Sequence, residues 1–344
     1  MTVATAGSAL RAYLDRHIDA LLAAPELIRR DQPDAVHQAR VACRRIRATT
    51  RTFAAWLAVD TSDNAVSDAE LAWFSGELGK VRDLEVIQAR LTATIAELPD
   101  ELDARSVAEF VDDRLTQESA ARRAELMDAM ASDRHAALHA ALSGWRRGLA
   151  APAQRHDETP TPVSPQSGSS APTRTRVGDA RRARPDDPIE SLAPAVDRAR
   201  RQLMKRLSQA AGPNGADADL HRARKAGKRA RYAAEVLASE LPAAAATATA
   251  TATAATTDEA TTDEAPAVGL ARRLTRLQDI LGEFQDSVIV ATMARELADE
   301  ARARGHGTQA FGALLAIEQQ RQRRCRAAAR QFWVEEMTPA GGDE

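Results

Sequence analysis

Aromatic residues are scarce in this chain: Phe, Trp and Tyr together make up 3% of 344 residues. Sheets draw on aromatic and β-branched side chains, so the shortage weighs against a β-rich fold. Cysteine is scarcer still. Cys43 and Cys325 are the only two, both in Arg-rich segments with no metal or redox spacing. A disulfide framework is therefore not indicated, and a reducing, cytoplasmic setting is expected. No uncharged apolar run approaches the length of a membrane span, and the first residues lack the basic-then-apolar order of a signal peptide. The expectation is a soluble protein with no membrane partner. Nor does one sign of charge prevail, since 47 Lys and Arg face 49 Asp and Glu for a formal net charge of −2. A local excess of one sign is then a placed feature rather than the by-product of a basic protein.

What the chain has in abundance is alanine, which dominates its 44% hydrophobic content and suits close-packed helices. Helical periodicity predicts elements over about 8–30, 35–59, 65–97, 101–149 (kinked near Ala131-Ser132-Asp133), 189–211, 217–240, 267–303 and 309–334. Asp34 stands where it would cap the second helix. Residues 151–187 are rich in Pro, Ser, Thr, Arg and Asp without periodicity and read as a disordered linker. Residues 243–265, alternating Ala and Thr and then repeating Thr-Thr-Asp-Glu-Ala, read as a flexible low-complexity insert.

Two stretches concentrate positive charge. Residues 37–51 carry five arginines and no acid, and 221–231 carry six Arg or Lys and no acid. At about 100° per residue, His37, Arg40, Arg44, Arg47 and Arg51 fall within roughly 80° of one another, a rail about 20 Å long. Ala39, Ala42, Cys43, Ile46 and Phe53 occupy the neighbouring face, which suits burial. A solvated helix face mixes signs for i,i+4 pairing. Like charges held on one stripe instead call for an anion.

The two stretches are copies. At an offset of 184, His37–Arg47 matches His221–Arg231 at six of eleven positions, with Arg44 opposite Lys228. Downstream, Leu78-Gly79 and Asp83 match Leu281-Gly282 and Asp286 at an offset of 203, the difference being about the size of the Ala/Thr insert. Each half reads as four helices with the same order of features, and the expected architecture is all-α: two four-helix bundles related by pseudo-twofold symmetry, with the rails facing each other. The halves are 8–150 and 188–337, separated by the linker 151–187, within one domain over 8–337. Leu-Gly in each copy suggests close helix–helix approach, and Asp83 and Asp286 suggest carboxylates that orient a basic side chain.

His-x-x-Arg-x-x-x-Arg-Arg-x-Arg followed by Leu-Gly-x-x-Arg-Asp, with the pattern repeated, resembles the CHAD family, the conserved histidine α-helical domain. The resemblance implies an all-helical fold and binding of inorganic polyphosphate along a basic surface or channel. Carried over by position, the binding residues are His37, Arg40, Arg44, Arg45, Arg47 and Lys80, then His221, Arg224, Lys228, Arg229 and Arg231, with Tyr232 beside the last. Arg51 and Lys225 extend or flank the rails. The match is incomplete, because Glu283 and Gln285 stand where the first half has Lys80 and Arg82.

Arginine offers fork-shaped donors to phosphate oxygens and lysine a point charge. The reading is a non-catalytic polyphosphate binder, associated with polyphosphate granules and needing no cofactor or metal. Two alternatives stay open: a metal-assisted phosphohydrolase or phosphoryl-transfer protein, and a non-specific nucleic-acid binder. Single-strand binders add stacking aromatics, and only Tyr232 lies near a rail. His37 and His221 are structural residues or phosphate ligands that strengthen on protonation. His156-Asp157 resembles part of a metal phosphohydrolase signature but lacks partner ligands. Arg321, Arg323, Arg324 and Arg326 either extend the basic surface or are solvated.

Overall fold

The computed structural model describes residues 5–57, 66–99, 101–150, 183–212, 215–239 and 266–337, and among them the chain is all-helical. The helices are α1 (Ala6–Arg29), α2 (Ala35–Thr52), α3 (Asp68–Ile95), α4 (Ala104–Ala131), α5 (Asp133–Ala150), α6 (Ala193–Ala211), α7 (Asp217–Ala238), α8 (Pro266–Ala303) and α9 (Gln309–Met337). A short 3-10 turn over Ile189–Leu192 leads into α6. None of them is long and apolar enough to cross a membrane.

Local chemistry sets several of these ends. Thr5 caps α1 by a reciprocal pair of bonds with Ser8, which satisfies two otherwise free N–H groups. Ser67 and Asp103 cap α3 and α4. The predicted kink near residue 132 is a full break, with Ser132 in extended conformation between α4 and α5. Asp34 does not cap α2 as expected. It sits in the left-handed region at φ 59° and makes no side-chain cap bond. α2 also stops earlier than predicted: it ends at Thr52, and Phe53 turns inward to become fully buried.

Apolar residues gather into three cores, not one per half. The first joins α1 from Leu14 onward with α2, the start of α3, the end of α4 and α5. The second is built on α6, α7, the first part of α8 and the end of α9. It also takes in Leu10 and Tyr13 of α1 and Phe53 and Trp56 after α2. The third lies where the far ends of α3 and α8 meet the starts of α4 and α9, around Leu91, Leu115, Val290 and Phe311. The predicted halves are thus interlocked through shared cores.

Residues 183–187, assigned to the linker by composition, are held with Pro188 against α1. Ala6 donates its N–H to the Asp187 carbonyl at 2.8 Å, Gly7 donates to Pro185 at 2.7 Å, and Thr5 bridges Pro188. A Cβ on Gly7 would lie 2.8 Å from Pro185 Cβ, so only glycine permits this approach. The rest of the predicted linker (151–182), with His156-Asp157, and the predicted insert 243–265 lie outside the described residues.

Candidate functional site

Helices α2 and α7 pack side by side, and α3 and α8 flank them before converging on the third core. The four line a half-open cavity of 530 Å³. α2 presents His37, Arg40 and Arg44 to it, and α7 presents His221, Arg224, Lys228, Arg231 and Tyr232. α3 adds Arg82, Asp83 and Arg90, while α8 adds Gln278, Asp279, Glu283, Gln285 and Asp286. Seven Arg or Lys residues therefore meet four carboxylates.

Equivalent pairs appear in the two copies. Arg40 Nη1 donates to Asp83 Oδ1 at 2.8 Å, and Arg224 Nη2 lies 3.9 Å from Asp286 Oδ1. These carboxylates orient one arginine of each rail, the role expected of them. The glycines behave differently from the expectation of close helix contact. The nearest atoms to a Cβ on Gly79 are those of the Arg40 guanidinium at 3.5 Å, and Gly282 has only Arg224 Nη2 at 3.9 Å. The space is occupied by the two arginine side chains rather than by a neighbouring backbone.

Deeper on the rails the partners thin out: Arg231 Nε lies 3.4 Å from Glu235 Oε1, while Arg44 and Lys228 have no carboxylate partner among the described residues. Burial, then the charges of Arg224, Arg44, Arg40 and Arg231, push the Lys228 ammonium down to about 6. Arg44 is pushed down by burial and by Arg40 and Arg231, with the Tyr232 hydroxyl acting in its favour. Arg224 is lowered by burial first, with Asp286 opposing and Arg44 and Arg40 adding to the shift. Each rail thus feels the other's charge, so the two face one another. The Nε groups of Arg44, Arg224 and Arg231 are buried without a hydrogen-bond partner. Lys228 forms no ion pair with a carboxylate among the described residues. Removing an unpaired charge from water is costly even after relaxation, so the free protein holds Arg44 at a disadvantage, and Lys228 short of its proton, until an anion relieves both.

The two histidines differ. His221 Nδ1 lies 2.7 Å from Gln285 Oε1, so Nδ1 donates and the amide oxygen accepts. Its counterpart has Arg82 at the position of Gln285. Burial, followed by Arg82 and Arg44, pushes His37 below its ordinary value. In the free protein His37 is held neutral rather than favoured as a cation.

Six predicted binding residues are placed elsewhere. Lys80 leans toward α4, with Glu77 Oε2 at 2.7 Å and Glu125 Oε2 at 3.7 Å. Arg47 and Arg51 both pair with Asp68 at the start of α3. Alanine 271 stands at the position matching Asp68, which leaves Arg231 to line the cavity where Arg47 does not. Arg45, about 100° round the helix from Arg44, pairs with Glu235 at 3.1 Å. Glu235 also accepts from the Tyr13 hydroxyl at 2.9 Å, and this knot ties α1, α2 and α7 together. Arg229 reaches Gln202 on α6 at 3.5 Å, and Lys225 is exposed on the outer face. Tyr232 lines the cavity but is buried, with Arg231 and Arg45 at 5.1 and 5.5 Å from its ring centroid.

Arg90, Gln278 and Asp279 escaped the sequence reading, and Arg82 entered it only as part of the repeated motif. Arg90 lies seven residues after Asp83 and hence on the same face of α3, a signal open to helical projection. It bonds Glu283 at 3.2 Å and the fully buried Glu318 at 3.4 Å. Glu318 also accepts from Thr94 and from Arg321, which pairs with Glu97 as well. Arg326 pairs with Asp217 and lies over Phe284. Arg321 and Arg326 therefore belong to packing between helices, not to a free basic surface.

The sequence matches the family model of the CHAD domain over residues 12–295. No curated protein matches it in sequence. Among solved structures, PptA from Streptomyces chartreusis aligns with a TM-score of 0.64 at 21% identity, over 96% of this chain and 100% of the other. The CHAD domain from the plant Ricinus communis aligns with a TM-score of 0.62 at 21% identity, over 96% and 92% of the two chains. The repeated histidine and arginine helices, now seen facing across one cavity, thus sit in a fold shared with these relatives, and the chain belongs to the CHAD domain family.

Proposed function

We propose that the cavity between α2, α3, α7 and α8 binds linear inorganic polyphosphate without turning it over. The observation that carries this reading is the pair Arg44 and Lys228, half-buried on facing rails with no carboxylate partner among the described residues. A chain of phosphates supplies a negative charge at every unit and accepts fork-shaped bonds from arginine. Arg40 and Arg224, already oriented by Asp83 and Asp286, extend the contact along both rails. Binding is then dominated by charge-assisted hydrogen bonds and counterion release, and it recruits the protein to polyphosphate granules.

Support for a phosphate chain over nucleic acid comes from Tyr232. Among the described residues it is the only Phe, Trp or Tyr lining the cavity, and its ring is buried beneath two arginines, leaving no face on which a base could stack. Reversing the charge at both centres, Arg44→Glu with Lys228→Glu, tests the reading. Polyphosphate binding is expected to disappear while helicity by circular dichroism is retained. Unchanged affinity in a folded double variant would remove the rails from the account. Release of orthophosphate by the unaltered protein in the presence of Mg²⁺ or Mn²⁺ would refute the absence of turnover.

A further inference from the structure

The wall formed by α8 has a different chemistry from the rest of the cavity. Where the first half has Lys80 and Arg82, it carries Glu283 and Gln285, and where the first half has Ser75 and Gly76, it carries Gln278 and Asp279. Glu283 and Gln285 are occupied by Arg90 and His221. Gln278 and Asp279 are not. Gln278 is 7% exposed, and both its amide nitrogen and its amide oxygen are buried without a hydrogen-bond partner. Asp279 forms no hydrogen bond or ion pair among the described residues, although Arg231 is near enough to act on its charge. Both residues line the cavity, the Gln278 amide lying against Gly227 with its two polar atoms shielded from solvent.

The fold makes specific room for that amide. α7 has Gly227 where α2 has Cys43, and a Cβ on Gly227 would lie 2.1 Å from Gln278 Nε2. A buried donor and acceptor left unpaired is costly, and unpaired groups of this kind call for a ligand or a bound water.

A phosphate chain offers two kinds of unit. Internal units are fully ionised at neutral pH and only accept hydrogen bonds. Such units can bond Gln278 Nε2, but they meet the Asp279 carboxylate with repulsion. The terminal unit has a second ionisation near pH 6, as phosphomonoesters do, so unlike an internal unit it can hold a proton in the site at a cost of about 1.4 kcal/mol at pH 7 and then present a P–OH that donates as well as accepts. A terminal phosphate can therefore accept from Gln278 Nε2 and donate to Asp279 or to Gln278 Oε1, with its ionised oxygens toward Arg231 and Lys228.

We propose that Gln278 and Asp279 recognise the terminal phosphate of the chain, so that the cavity captures polyphosphate by its end. This rests on the polyphosphate reading of the same cavity. The shared chemistry is a phosphate carrying an ionisable hydroxyl, which a phosphate monoester also offers.

Binding stoichiometry of the full-length protein with polyphosphates of several defined lengths tests it, by calorimetry and by light scattering. End capture predicts no more than two proteins per chain at saturation, whatever the length. Stoichiometry that rises in proportion to length would overturn end capture while leaving polyphosphate binding intact. No binding at any length would overturn both.

Gln278→Leu provides a second arm. It deletes an unpaired amide, so the folded state is expected to be retained. Affinity is expected to fall about tenfold, as for loss of a hydrogen bond to a charged group. The slope of log affinity against log salt should stay the same, because a neutral donor releases no counterion. Unchanged affinity in this variant would also overturn the proposal. If phenyl phosphate competes as well as tripolyphosphate does, the site reads phosphate monoesters and the assignment to a chain end is overturned.

Discussion

Polyphosphate binding should take up close to one proton per site at pH 7 to 8, and about half a proton at pH 6, because Lys228 loses its proton above about pH 6 in the free protein and is charged in the complex. Burial and four surrounding arginines bring its ammonium from the ordinary 10.5 down to about 6. A polyanion seated on the rails reverses the sign of the local field and restores the charge. Each unit separating pH from the free-protein value costs about 1.4 kcal/mol of binding, or tenfold in affinity, for as long as the bound form stays protonated. Over about two pH units this amounts to roughly 2.7 kcal/mol, near a hundredfold. Calorimetry in buffers of different ionisation enthalpy counts the proton directly. The variant Lys228→Met separates this proton from those on His37, on Asp279 and on the ligand. Expected is a shallower pH dependence and about one proton fewer taken up. Equal proton uptake by the two proteins would refute the reasoning, since Lys228 would then carry its charge before the ligand arrives.

The same depressed value affects stability. The unfolded chain holds the Lys228 proton up to about 10.5 while the folded protein releases it near 6, so stability rises as pH climbs through that window, and Lys228→Met should flatten the rise in urea unfolding. Gly79→Ala should stabilise by up to about 1 kcal/mol, the helix-propensity gain, because its Cβ would make only ordinary contact with Arg40 at 3.5 Å. Gly227→Ala should change stability little but weaken polyphosphate binding, since the new methyl displaces the flexible Gln278 amide. Glu318→Ala removes a fully buried carboxylate from Arg90, Thr94 and Arg321 and is expected to cost about 3 kcal/mol in urea unfolding, with Gln restoring part of it.

The rails were legible because a one-signed stripe at helical spacing is rare on a near-neutral protein and here occurs twice. What periodicity could not supply was the partner of each arginine. Arg44 and Arg45 are adjacent in sequence, yet one faces the cavity and the other faces Glu235, a residue 190 positions away. Arg47 and Arg231 occupy matching positions, and Asp68, with no acidic counterpart at 271, decides which of them reaches the cavity. Lys80 was carried over by position, whereas Glu77 and Glu125 draw it away. How the two halves interlock was hidden for a related reason. Phe53 and Trp56 read as the tail of a first-half helix, but the burial they need is found against α6 and α7. Gln278 gave no signal, because an isolated glutamine on a helix is ordinary until Gly227 is seen beneath it.

A salt titration of polyphosphate binding to the full-length protein, repeated with single-stranded DNA as competitor at equal phosphate concentration, tests the central claim most directly. Contacts from Arg40, Arg44, Arg224 and Lys228 predict a slope of log affinity against log salt of about −3 or steeper, at roughly −0.7 per phosphate neutralised on a single strand. DNA should fail to displace the polyphosphate, because the cavity has no free aromatic face. Displacement by DNA at equal phosphate would contradict the account.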